Sequence, residues 1–242
     1  MKTAILFGCN YEGTKCELQG CIPDIVRLKK LLESREFKCH CYVDNDTNEK
    51  KKPTYYNIIR VLEKSVKNLE KDDILFVAYS GHGSSIKDRD NDESDGKDEC
   101  LVPCDYLTGG MVTDDELRNI LSQGVEGSKI FCLFDSCHSG TALDLPFNLE
   151  DIAQKKSKKE VYLPNADVWL LSGCIDAGTS SDIEVRNERG GALTFSFLAT
   201  VQHSKTMTEL LRNVRDHIKN NNLSKQLAQL SSTRKEDETI FF

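Results

Sequence analysis

The sequence predicts an α/β fold, a mostly parallel sheet covered by helices on both faces. Three observations carry this reading. Short runs rich in β-branched and aromatic residues, at 4–7, 74–79, 130–134 and 168–172, are bounded by Gly, Asp or Ser and read as buried strands. Helical patterns with N-terminal caps lie between them. Strands that alternate with helices imply parallel pairing with both sheet faces covered.

Taken in chain order, the run at 4–7 ends in Gly8. Residues 24–32 then place Ile25, Leu28, Leu31 and Leu32 on one helical face. Residues 39–43 are a lesser strand candidate. Thr54 caps a helix that carries Ile58, Ile59, Leu62, Val66 and Leu69. Thr113 and Glu116 form a capping box ahead of Leu117, Ile120 and Leu121, and Thr206 and Glu209 form another ahead of Leu210, Leu211, Val214 and Ile218. Two segments break the alternation. Residues 88–99 read as an acidic loop. Residues 151–165 are polar, with Lys155, Lys156, Lys158 and Lys159 together and Pro164 near the end, and read as an exposed linker. The chain is thus expected to divide into a large part (1–150), the linker (151–165) and a small part (166–242).

The chain has 242 residues, 38% hydrophobic and 29% charged, which suits a soluble globular protein with a buried core. A net charge of −7 argues against nucleic acid as the main partner and leaves room for basic substrates or bound cations. The ten cysteines are irregularly spaced, with no CxxC pair for zinc or redox chemistry. No stretch resembles a signal peptide or a membrane span, so the cysteines are expected as reduced thiols in the cytoplasm.

Two strands run into residues that carry chemistry. The run at 74–79 leads into Ser80, Gly81, His82 and Gly83, and the run at 130–134 into Asp135, Ser136, Cys137, His138, Ser139 and Gly140. In open α/β sheets, ligands bind beyond the carboxyl ends of the strands. A thiol there is activated by a nearby imidazole, so Cys137 is the expected nucleophile and His82 the expected base. The plainer alternative makes Cys137 a small core residue and His82 a turn histidine. His138 is a competing base, but it adjoins the nucleophile in sequence and would tend to point elsewhere. Gly81 and Gly83 let the backbone approach a substrate, and the N–H groups of Gly83 and Cys137 are the candidate oxyanion hole. Asp135 lies two residues before Cys137. Strand periodicity would put both on one face, where the carboxylate attracts a Lys or Arg side chain. The plainer alternative for Asp135 is a turn cap.

The two motifs together resemble those of the metacaspases in the caspase-like cysteine peptidase clan. So do Gly8 to Thr14, Leu18 to Cys21, 98–106, 144–147 and 171–181, so that the resemblance spans nearly the whole chain. It lies nearer to type I members, without their prodomain. It implies a caspase-like α/β/α sandwich, a His–Cys dyad, a monomer, and a basic-residue pocket made of Asp24 and Asp135 lined by Cys21 and Ser80. It also implies a cation site of Asp98, Asp114, Asp115 and Asp144 from separate loops. Hard carboxylate oxygens suit Ca2+ and not zinc. The acidic loop itself is no EF-hand, because Glu93 stands where that loop needs Gly. Basic-site self-processing is expected at Lys155, Lys156, Lys158 or Lys159. A thiol phosphatase is excluded because Leu143 stands where its Arg belongs, and a zinc enzyme lacks a third ligand at suitable spacing. The remaining alternative is a catalytically silent, calcium-responsive scaffold on the same fold.

Overall fold

A computed structural model of the chain describes residues 1–87, 97–136, 143, 145–148, 165–174, 182–185, 188–223, 227–235 and 238–242. In chain order the first elements are β1 (Lys2–Gly8), α1 (Cys21–Ser34), β2 (Lys38–Val43), α2 (Tyr55–Lys67), β3 (Ile74–Ser80), β4 (Gly83–Lys87), β5 (Lys97–Leu101), α3 (Tyr106–Gly109), β6 (Val112–Thr113) and α4 (Asp114–Leu121). They are followed by β7 (Lys129–Asp135), β8 (Phe147–Asn148), β9 (Asp167–Cys174), β10 (Asp182–Val185), β11 (Glu188–Gly191), α5 (Ala192–Thr200), α6 (Met207–Asn220) and β12 (Leu227–Ser232).

The main sheet has the order β2-β1-β3-β7-β9-β12-β8. Its first five strands are mutually parallel, and β12 is antiparallel to both of its neighbours. Side-chain alternation sorts each strand into two cores. Ile5, Phe7, Leu75, Val77, Ile130, Cys132, Val168 and Leu170 pack with α2 and α4 through Ile58, Leu62, Val66, Leu117 and Ile120. Ala4, Leu6, Phe76, Ala78, Phe131, Leu133, Trp169 and Leu171 pack with α1, α5 and α6 through Ile25, Leu28, Phe197, Leu210 and Val214. The result is a sandwich of helices, sheet and helices, which is why the strands read as continuous apolar runs.

Several elements differ from the sequence reading. Helix α1 starts at Cys21 and not at residue 24. Its first N–H groups, those of Cys21 and Ile22, are taken by the Asn10 Oδ1 at 3.1 and 3.2 Å, so the cap comes from a distant loop. Pro23 sits in that first turn, where its missing N–H costs nothing. Residues 97–99 are not loop but the start of β5, which pairs antiparallel with β4 and buries Asp98 and Cys100. The acidic composition hid that strand. Helix α5 escaped notice because its apolar residues run all round it, as befits a helix lying under others. Strand β12 alternates Ala228, Leu230 and Ser232 inward, a pattern too polar to stand out. The linker up to residue 164 lies outside the described residues, and Asn165 is exposed.

The topology also places the site. The chain steps outward from β1 through α1 to β2, then returns through α2, on the opposite face, to β3 on the other side of β1. The strand order therefore reverses between β1 and β3, and their carboxyl ends are the place where open α/β sheets form a binding crevice.

Candidate active site

Three strand ends meet at the place where the strand order reverses. Gly8 pairs with Ser80, and Ser80 pairs with Asp135. His82 follows Ser80 by two residues and Cys137 follows Asp135 by two. The sheet thus carries both motifs off neighbouring strands, about 4.8 Å apart, at the same level. Cys137 and His138 themselves lie outside the described residues.

His82 is half-buried and held at its ring Nε2, its N–H and its carbonyl. Its ring Nε2 lies 2.7 Å from the carbonyl oxygen of Cys16. A carbonyl only accepts, so Nε2 carries a proton and Nδ1 is the ring nitrogen left to accept. The His82 N–H donates to the Tyr11 hydroxyl at 2.9 Å, and its carbonyl accepts from the Tyr79 hydroxyl at 2.9 Å and from the Val102 N–H at 3.1 Å. Gly81 has a reason of its own beyond substrate approach. A Cβ there would lie 2.6 Å from the Tyr79 hydroxyl and 2.9 Å from that of Tyr11. Gly83 opens β4, opposite Leu101.

At the end of β3, two residues ahead of His82, the structure brings Asp24, Ser80 and Asp135 together, with Cys21 buried one turn ahead of Asp24 on α1. Asp24 is fully buried. Its Oδ2 accepts from the Ser80 hydroxyl at 2.9 Å and from the Gly191 N–H at 2.8 Å, and its Oδ1 faces the Arg27 guanidinium at 3.3 Å. The Asp135 Oδ2 accepts from the Thr194 N–H at 2.7 Å, in the first turn of α5. Burial, and then the charge of Asp135, hold the Asp24 carboxyl well above the usual carboxylate range, against the bonds from Gly191, Ser80 and Arg27. Gly190 and Gly191 lie so close over the two carboxylates that a Cβ on either would collide with them.

The carboxylates expected to hold a cation stand farther along. Asp98 on β5 and Asp114 at the start of α4 are both buried, and β6 lays Thr113 opposite Cys100. The Cys100 thiol is pushed up to about 12, first by burial and then by Asp114, with smaller contributions from Asp98 and Glu99, so negative charge gathers around it. Asp115 is turned toward Arg118 in an ion pair. Among the described residues, no group of three or more His, Cys, Asp or Glu stands ready to hold a metal ion. Asp144 lies outside the described residues, although its neighbours Leu143 and Leu145 pack into the core beside Leu117. Lys155, Lys156, Lys158 and Lys159 lie outside them as well.

Sequence reasoning missed Tyr11, the Cys16 carbonyl, Arg27, Gly190, Gly191 and Thr194. The Gly190 and Gly191 pair carried a visible signal, two adjacent glycines ahead of an apolar run, and Arg27 stands three residues after Asp24, at helical ion-pair spacing. The others act through backbone atoms or through contacts distant in sequence.

The chain as a whole is similar to known proteins. The family described as "Metacaspase, peptidase C14 domain" matches residues 2–146. Metacaspase-1 of Meyerozyma guilliermondii is 32% identical over 100% of this chain and 72% of its own length. Metacaspase-1 of Schizosaccharomyces pombe is 32% identical over 99% and 69%. A Geobacter sulfurreducens protein of known crystal structure superposes with a TM-score of 0.69 over 98% of this chain and 95% of its own, at 23% identity, a likeness of fold.

The raised Asp24 carboxyl has a consequence for stability. At that site the folded state binds a proton more tightly than the unfolded state, so its contribution to stability falls as pH rises from near 4 through the raised value. Asp24→Asn is therefore expected to stabilise the protein at neutral pH relative to wild type. The gain should vanish as pH falls toward about 4. Urea unfolding of both proteins across that range measures it, and a gain that grew on acidification would contradict the assignment.

Proposed function

The chain belongs to the metacaspase family and is a cysteine endopeptidase, and on that premise we propose that it cuts after Arg or Lys by a His82–Cys137 dyad. His82 takes the Cys137 thiol proton at Nδ1, while the Nε2 bond to the Cys16 carbonyl keeps the ring oriented. The thiolate attacks the scissile carbonyl carbon, and the N–H groups of Gly83 and Cys137 stabilise the oxyanion. His82 then passes its proton to the leaving amine. A water deprotonated by His82 releases the acid from the thioester and regenerates the thiol.

The observation that carries the specificity is the buried pair of Asp24 and Asp135 at the strand ends that lead into the two motifs. Two like charges withdrawn from water favour a cation, and a guanidinium or ammonium from the substrate supplies one. An acidic side chain would be repelled. Cys21 and Ser80 line the same recess. A panel of fluorogenic peptides differing only in the residue before the scissile bond tests this. Turnover is expected with Arg and Lys, none with Asp, and none with any peptide for Cys137→Ala. A preference for Asp would overturn the pocket.

We assign Asp98, Asp114, Asp115 and Asp144 to Ca2+. The buried, hard oxygens of Asp98 and Asp114 fit that ion. Bound calcium would neutralise the repulsion among them. The same proposal takes the enzyme as a cytoplasmic monomer that processes itself after Lys155, Lys156, Lys158 or Lys159. Calcium in the range of roughly 10⁻⁴–10⁻³ M is expected to raise peptide turnover and to yield fragments ending at one of those lysines, absent in Cys137→Ala. Equal rates in calcium and chelator would count against the cation site, and an active enzyme that stays intact would count against processing.

A further inference from the structure

A general base works only when its ring is held, and the structure shows what holds this one. We infer that Tyr11 is a positioning residue for His82, fixing the base through its phenol; the inference rests on the His82–Cys137 reading above.

Four observations converge on Tyr11. Its hydroxyl accepts the His82 N–H at 2.9 Å, bonds the Val102 carbonyl at 2.6 Å and meets the Tyr79 hydroxyl at 3.0 Å. The Tyr79 hydroxyl in turn shares its single proton between the His82 carbonyl at 2.9 Å and the Val102 carbonyl at 2.7 Å. A pair of buried phenols therefore grips the His82 peptide units at both the N–H and the C=O. Both phenols are 3% exposed or less, and burial raises each well above its ordinary value, so they stay neutral and keep their protons for these bonds.

The Tyr11 ring also lies against the imidazole, with centroids 4.9 Å apart and planes tilted by 36°. The backbone of Tyr11 supplies the fourth observation. Its φ is +52°, a region that a bulky L-residue seldom enters. The bend is held from both sides. Asp44 Oδ2 accepts the Tyr11 N–H at 2.6 Å, and the Tyr11 carbonyl accepts from the Thr14 N–H at 3.1 Å and the Thr14 hydroxyl at 2.7 Å. That bend starts the turn that presents the Cys16 carbonyl to His82 Nε2. One residue thus sets the backbone of the base, one face of its ring and the path of the chain that fixes its tautomer.

The consequence is a set of rates. Without the phenol, the His82 N–H loses its acceptor, the imidazole is less well aimed, and the Cys137 thiolate loses part of the charge partner that favours it. Wild type, Tyr11→Phe, Tyr79→Phe and His82→Ala are compared on a fluorogenic peptide with Arg before the scissile bond, with calcium present. Alkylation of Cys137 by iodoacetamide is followed against pH by peptide mass. Tyr11→Phe keeps the ring, so it is expected to lower kcat by about 10- to 100-fold with KM within about twofold. The midpoint of the alkylation profile should move to higher pH, a shift that a merely structural loss would not produce. Should Tyr11→Phe fail to fold, Tyr79→Phe, which removes only the bonds made by the second phenol, is expected to show the same shift with a smaller loss of kcat.

An unchanged kcat and alkylation profile in the folded variant would overturn the inference, and so would a loss confined to KM. His82→Ala separates the two levels. If it remains active, the base assignment itself falls. If it is inactive while Tyr11→Phe matches wild type, only the positioning role falls.

Discussion

Parallel pairing of β3 with β7 sets Ser80 opposite Asp135, and the rest of the site follows from that register. A slip of one residue would turn every side chain of one strand to the other face. Both faces forbid it. Leu75, Val77, Ile130 and Cys132 are locked against α2 and α4, while Phe76, Ala78, Phe131 and Leu133 are locked against the opposite helices. Phe131 stacks within 5.3 Å of Phe76 and 4.1 Å of Phe242, so the register is held by close aromatic contact as well as by hydrogen bonds. The motifs leave the sheet at one level because two cores hold their strands level.

The same crossing point makes the acidic pair possible. Two neighbouring buried carboxylates oppose folding unless donors surround them. Here the donors come from parts of the chain far apart in sequence, namely Ser80 on β3, Arg27 on α1, and the backbone of Gly191 and Thr194 at the start of α5. The N-terminus of α5 also lends its positive end to Asp135. Residues near 190 are thus tied to the strand ends of the first half of the chain, and β9 continues the sheet directly from β7. The acidic pair thus adds a second tie between the two halves to the one made by the sheet.

Much of this was legible in the sequence, for identifiable reasons. The four apolar runs were unambiguous because a parallel sheet buries both faces of its strands. Helices α2, α4 and α6 announced themselves through Thr54, Thr113 and Thr206, whose hydroxyls cap them as the pattern implies. His82 stood out as a polar residue at the end of such a run. Tyr11 did not, since nothing local signals that a tyrosine will adopt positive φ and reach a histidine 71 positions away. Asn10 is likewise invisible as the cap of α1 until the loop folds back. The strand at 97–101 was lost to its charge, and α5 was lost to the absence of a polar face.

On the proposed mechanism a thiol at position 137, activated by His82, serves a pocket that wants a cation. The most direct measurement is covalent capture by a peptide electrophile with Arg at its reactive end, compared with the same electrophile carrying Asp. The site of attachment is then mapped by mass spectrometry in wild type and His82→Ala. A single adduct on Cys137 is expected, formed fast with Arg and slowly with Asp, and lost or greatly slowed without His82. Attachment at another cysteine, or equal labelling by both electrophiles, would contradict it.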